Sequence, residues 1–181
     1  QHLPQGHFDW PSVDVPILKH LVSSKKPTTA SGPDGVSIAD LKAVPDAMLA
    51  NFCEMYKQAE HTGEWPVQVV SGKVSSLAKN PAPKSALDFR PVTVLGLLYR
   101  CWSSHHAFHA LRKLDGLLPP GLAGSRPNRF AGQIWASLLW DIEQAYSQET
   151  DLAGVIADIQ KAFNHIPRLA IMELCAYIGL P

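Results

Sequence analysis

Residues 155–167 read VIADIQKAFNHIP, and no other stretch limits the fold as strongly. The apolar residues 152–157 run directly into a carboxylate, Asp158. A run this short and this apolar reads as a buried strand, and an unpaired charge inside a core is costly. A charge at the edge of a core strand therefore implies a partner: a metal, a cation or a helix terminus. Downstream, Pro167 opens a final helix at its N1 position, and the sequence GLP from Gly179 closes it.

The remaining elements follow from punctuation and periodicity. Residues 1–31 carry several prolines and the polar stretch SSKKPTTAS, which makes them an N-terminal lead-in with one short helix over 15–22. GPDG at 32–35 is a turn, with φ fixed at Pro33 and reversal supplied by Asp34 and Gly35. Ser37 and Asp40 are spaced to cap a following helix, and 45–61 predicts another with Leu49, Phe52, Cys53 and Tyr56 on one face. After Trp65-Pro66 the residues become β-branched, and 67–95 predicts an antiparallel hairpin whose proline-rich tip carries Lys84. Long helices over 96–114 and 133–147 flank the loop PPGLAGSRPNR. Helices, hairpin, helices, strand, helix is an α+β order.

Net charge is zero, yet the charges are not evenly spread. Residues 72–129 hold nine of the 16 Lys and Arg and only two of the 16 Asp and Glu, while both flanking thirds are acidic. Such a basic stretch attracts phosphate or is simply a solvated face; charge alone leaves both open. No apolar run reaches the roughly 18 residues that span a bilayer, and the N-terminus lacks a signal-peptide pattern, so a soluble, intracellular protein that is not secreted, nuclear or cytoplasmic, is expected. Cys53, Cys101 and Cys175 read as buried thiols rather than disulfides or a zinc site. His105 and His109 stand at i, i+4, but no Glu or Cys completes a zinc set, so they read as a helix face.

Taken in order, GPDGV with DLK, Trp65, LAKN, DFRPVTVLGLLYR, SRPNR, ADIQKAFNHIPR and IGLP resemble the fingers and early palm of a reverse transcriptase. The resemblance is to the kind encoded by non-LTR retrotransposons, with group II intron enzymes as near relatives, and it covers residues 25–181. It implies a partial right-hand polymerase fold, with an N-terminal segment at 1–31, a fingers-like region at 32–130 and the start of the palm at 131–181. The implied reaction is RNA-directed DNA synthesis by two-metal nucleotidyl transfer, with magnesium as cofactor. RNA template, DNA primer and deoxynucleoside triphosphates are the implied partners, with no membrane.

The same resemblance assigns roles residue by residue. Asp158, with the backbone carbonyl of Ile159, would ligate metal. Phe163 would lie beneath the sugar of the incoming nucleotide and exclude a 2′-hydroxyl, and Asn164 departs from the Asp that most relatives carry there. Lys84 and Arg90 would hold the triphosphate, since a point charge and a bidentate fork both suit phosphate oxygens. Lys73, Lys79, Arg126 and Arg129 would contact nucleic acid. Residues 1–181 contain neither the glycine-rich segment nor the Ala-Asp-Asp hairpin of the family. The expectation is thus a piece of a polymerase, inactive alone; the alternative is a retroelement remnant that binds nucleic acid without catalysis.

Overall fold

The computed structural model describes residues 10–159 and 165–180. It is a mixed structure: seven α-helices among the described residues and one two-stranded antiparallel sheet. By contact, Pro11–His109 forms one compact unit, and the chain from Ala110 onward belongs to a second. Among the described residues no helix is long and apolar enough to cross a membrane.

Helix α1 (Val15–Ser23) begins where the Asp14 carboxylate accepts from the Ile17 N–H at 2.9 Å. Helix α2 (Ile38–Ala43) starts on the expected capping box: the Asp40 N–H donates to Ser37 Oγ at 3.1 Å, and the Ser37 N–H donates to the Asp40 carboxylate at 2.8 Å. Helix α3 (Asp46–Thr62) follows Pro45 and stops at Gly63, whose φ of 74° is the left-handed cap that favours glycine. A short helix α4 (Val67–Val70) precedes strand β1 (Gly72–Ala78); strand β2 (Phe89–Leu95) leads into α5 (Leu97–Asp115).

The core of this unit is built on α1, α2, α3 and the start of α5. Leu18, Ile38, Leu49, Tyr56, Leu97 and Cys101 are all but excluded from solvent. On α5 the buried positions Leu97, Leu98, Cys101 and His105 repeat at helical spacing and turn one face inward. Tyr56 ties the two long helices together, since its hydroxyl donates to the Leu98 carbonyl at 2.8 Å from a fully buried position. Cys53 and Cys101 are buried free thiols, whereas Cys175 is only half-buried.

Three expectations about regular structure change. Residues 67–70 belong to α4 and not to the hairpin. Pro66 fixes its own φ, and its carbonyl accepts from the Val69 and Val70 N–H groups, which winds VQVV into a helical turn and drops Val69 into the core. The largest change concerns residues 152–158, which form no strand and are not buried: Val155 is 95% and Ile156 94% exposed. A strand needs a neighbour for its N–H and C=O groups, and among the described residues the one ladder is β1 with β2, which does not include residues 152–158. Pro167 also moves by one position, to the N-cap of the last helix, α7 (Arg168–Tyr177). That helix and α6 (Ala131–Ser147) bury no residue.

Candidate nucleotide and nucleic-acid interface

The hairpin pairs Gly72 with Leu95 through Ala78 with Phe89 in unbroken antiparallel register. Opposed residues share a face and successive residues alternate between faces. Leu77 opposes Arg90 and Lys73 opposes Val94, so Lys73 and Arg90 lie on one face. Lys79, two residues beyond Leu77, continues the ladder with its N–H donating to the Asp88 carbonyl at 2.7 Å. Three of the cations singled out from the sequence thus share one side of the ribbon, and all three are exposed.

The tip is locked by Asp88, a residue the sequence reading did not select. Its carboxylate accepts from the Lys84 N–H at 2.8 Å, the Ser85 N–H at 2.9 Å and the Ser85 hydroxyl at 3.3 Å. Those backbone donors, first that of Lys84, then that of Ser85, hold its carboxyl below the usual range, helped by the Lys79 charge. Lys79 Nζ in turn donates to the Leu87 carbonyl at 2.6 Å and folds over the loop. Asp88 is therefore engaged by loop amides, and Arg90 makes no ion pair among the described residues. The exposed Lys84 side chain sits on a loop of fixed shape. A rigid turn with a point charge at its tip and a guanidinium on the returning strand can bind a polyanion.

Arg126 and Arg129 separate. Arg126 has a side chain only 4% exposed, and its donors are spent on the protein: Nε to Asp115 Oδ1 at 2.6 Å, and terminal nitrogens to the carbonyls of Asp115, Pro119 and Leu122 at 2.8, 2.7 and 3.0 Å. It closes the C-terminal end of α5 and organises the loop that follows. The Arg126 guanidinium beside Asp115 holds that carboxyl below its ordinary range, with Arg129 adding to the effect. Arg129 itself is exposed. A guanidinium with its donors turned inward has none to offer a phosphate, so of this pair Arg129 is the one available for a nucleic-acid contact.

Asp158 and Ile159 lie on the exposed segment before residue 160, outside any helix or strand. Lys161, Phe163 and Asn164 fall outside the described residues. Among the described residues no group of three or more His, Cys, Asp or Glu side chains is gathered to hold a metal. One carboxylate and one carbonyl do not by themselves meet the near-octahedral oxygen demand of magnesium.

Two of the imidazoles of α5, His105 and His106, are tied into the fold. His105 is buried and its Nε2 donates to the Pro11 carbonyl at 2.8 Å. Glu60 of α3 accepts from both Trp102 Nε1 at 2.7 Å and His106 Nε2 at 2.8 Å. Burial lowers the His106 pKa against the opposing pull of Glu60. No signal in the sequence marks Glu60, because it lies 46 residues from His106 and the pair exists only once α3 and α5 pack. No protein-family model and no curated protein sequence matches this chain.

Proposed function

We propose that this chain is the fingers and early palm of an RNA-directed DNA polymerase of the retroelement kind, and that its hairpin is the part that meets the nucleotide. The order of motifs from GPDG to IGLP carries the reading. The hairpin supports it: Lys84 sits at a tip whose shape Asp88 fixes, Arg90 stands on the returning strand outside any ion pair among the described residues, and Lys73 and Lys79 share the Arg90 face. In this role Lys84 and Arg90 hold the triphosphate, while Lys73, Lys79 and Arg129 follow the backbone of an RNA/DNA duplex. When bound, magnesium would supply the charge neutralisation of nucleotidyl transfer, with Asp158 as one of its ligands.

Fluorescence anisotropy with a labelled deoxynucleoside triphosphate and, separately, a labelled RNA/DNA duplex tests the assignment. Duplex affinity falls steeply with salt, because its contacts are to phosphate. Lys84→Ala or Arg90→Ala lowers triphosphate affinity by about tenfold, the worth of one charge-assisted hydrogen bond, and lowers duplex affinity much less. Equal losses on both ligands would make the hairpin a general basic face and sink the nucleotide assignment. Non-catalytic nucleic-acid binding is separated by Asp158: in a polymerase containing this chain, Asp158→Asn abolishes primer extension and leaves duplex affinity within about twofold. Extension at the parent rate would remove Asp158 from the chemistry.

A further inference from the structure

The hairpin projects from the helical body, and its shaft is exposed on both faces: Val74 is 63% and Leu77 55% accessible. What fixes its direction must therefore lie at its base. Three pieces of backbone meet there at two glycines. A Cβ on Gly32, in the GPDG turn, would stand 2.7 Å from Gly96 Cα, 2.8 Å from Gly96 N and 2.8 Å from the Leu95 carbonyl. A Cβ on Gly96 would stand 2.8 Å from the Val69 carbonyl and 2.9 Å from Asp34 Oδ2. Gly96 is also the hinge point between β2 and α5, since its carbonyl accepts from the Arg100 N–H at 3.1 Å in the first turn of the helix. The GPDG turn, the end of α4 and the β2–α5 junction thus close on one another at Gly32 and Gly96, with the Asp34 carboxylate packed against Gly96.

We infer that the Gly32–Gly96 contact is a positioning device, which aims the basic hairpin by clamping its base to the GPDG turn. The turn is rigid enough for this. Gly35 N–H donates to the Gly32 carbonyl at 3.1 Å, Asp34 Oδ1 accepts from the Val36 N–H at 3.3 Å, and Ser37 then caps α2. The next helix is anchored too, because the Arg100 guanidinium donates to the Ala30 carbonyl just before the turn. This explains why a turn with no charge beyond Asp34 sits where it does: it acts on the hairpin mechanically. The inference stands on the geometry of the hairpin base and not on what the hairpin binds.

The size of the effect follows from leverage. Moving a methyl at 2.7 Å out to the 3.4 Å of ordinary contact shifts the base by about 0.7 Å. With a pivot arm of one strand spacing, about 4.8 Å, and a shaft of seven residues at about 3.3 Å each, the tip swings by about 3 Å. Pulsed electron paramagnetic resonance on the full chain reads such a shift, with spin labels at Ala82→Cys on the tip and Asn51→Cys on α3, in a Cys175→Ser background. The parent gives one narrow distance population. Gly32→Ala moves or broadens it by about 3 Å, whereas Gly116→Ala, where a Cβ meets nothing within 4 Å, leaves it unchanged. An unchanged distribution in a folded Gly32→Ala protein would mean that the turn yields instead, and would overturn the inference. Should Gly32→Ala fail to fold, the parent still decides: a broad or multiple distribution shows a hairpin that nothing aims.

Discussion

Replacing Arg126 by alanine separates a structural guanidinium from a nucleic-acid ligand. The side chain is 4% exposed and bridges Asp115 to the carbonyls of Pro119 and Leu122. Each charge-assisted hydrogen bond contributes about 1.5–3 kcal/mol when both partners are dry, but the Asp115 side chain is 36% exposed, so water takes over part of what is lost. A net cost of about 2–3 kcal/mol for opening the loop is expected, which corresponds to about 30- to 150-fold faster amide exchange where that opening is the route. Hydrogen-exchange mass spectrometry over the loop between α5 and α6 measures it, on amides such as Leu122 N–H to the Pro119 carbonyl and Arg129 N–H to the Arg126 carbonyl. Arg126→Lys recovers little, because an ammonium cannot span the same acceptors. The pH dependence has a definite sign. Asp115 is depressed in the folded chain, so its contribution is complete above the unfolded value of about 3.9 and fades as pH falls through the lower folded value. The loop should thus be pH-insensitive near neutrality and loosen only in acid. The reasoning fails if Arg126→Ala leaves exchange unchanged while weakening RNA/DNA duplex binding as much as Arg129→Ala does.

Three further outcomes follow from the other unit. Tyr56→Phe removes the hydroxyl donor from the Leu98 carbonyl, which keeps its helical partner in α5, and should cost about 1 kcal/mol in denaturant melts; burial pushes the Tyr56 phenol up, so in an alkaline ultraviolet titration it should ionise only as the protein unfolds. His106 is lowered by burial, so the unfolded chain binds the proton first, and stability that is full above about pH 6.5 should decline below it; His106→Gln should flatten that decline in melts at pH 5 to 7. Asp88→Ala should release the Lys84 and Ser85 amides, seen as faster exchange across the hairpin tip, and should weaken triphosphate binding although Lys84 and Arg90 are untouched. A triphosphate affinity unchanged by Asp88→Ala would show that the tip need not be preorganised.

Local chemistry made much of this protein readable before folding. The Ser37–Asp40 box and the position of α3 are consequences of residues within a few positions of one another, and contacts of that range depend little on the rest of the fold. The hairpin was legible for the same reason, from two β-branched runs around a proline-rich tip, although its start was not: periodicity cannot tell VQVV as a strand from VQVV as a helical turn, and Pro66 decided for the turn. The faces of the ribbon depended on register, which the unbroken pairing from Gly72 and Leu95 to Ala78 and Phe89 supplied.

Only the tertiary structure decided which charges face water. Arg126 and Arg129 are alike in sequence, three residues apart in one loop, yet one is consumed by Asp115 and three carbonyls while the other is exposed. Glu60 gains its role by meeting Trp102 and His106 across packed helices, and Gly32 gains its own by touching Gly96 across 64 positions of chain. Residues 152–158 mark the same boundary from the other side. Their composition asks for burial, but a strand is a property of a sheet, and where no neighbouring strand accepts its hydrogen bonds the run stays irregular and exposed. Composition sets what a segment can bury; partners, which no local sequence contains, decide whether it does.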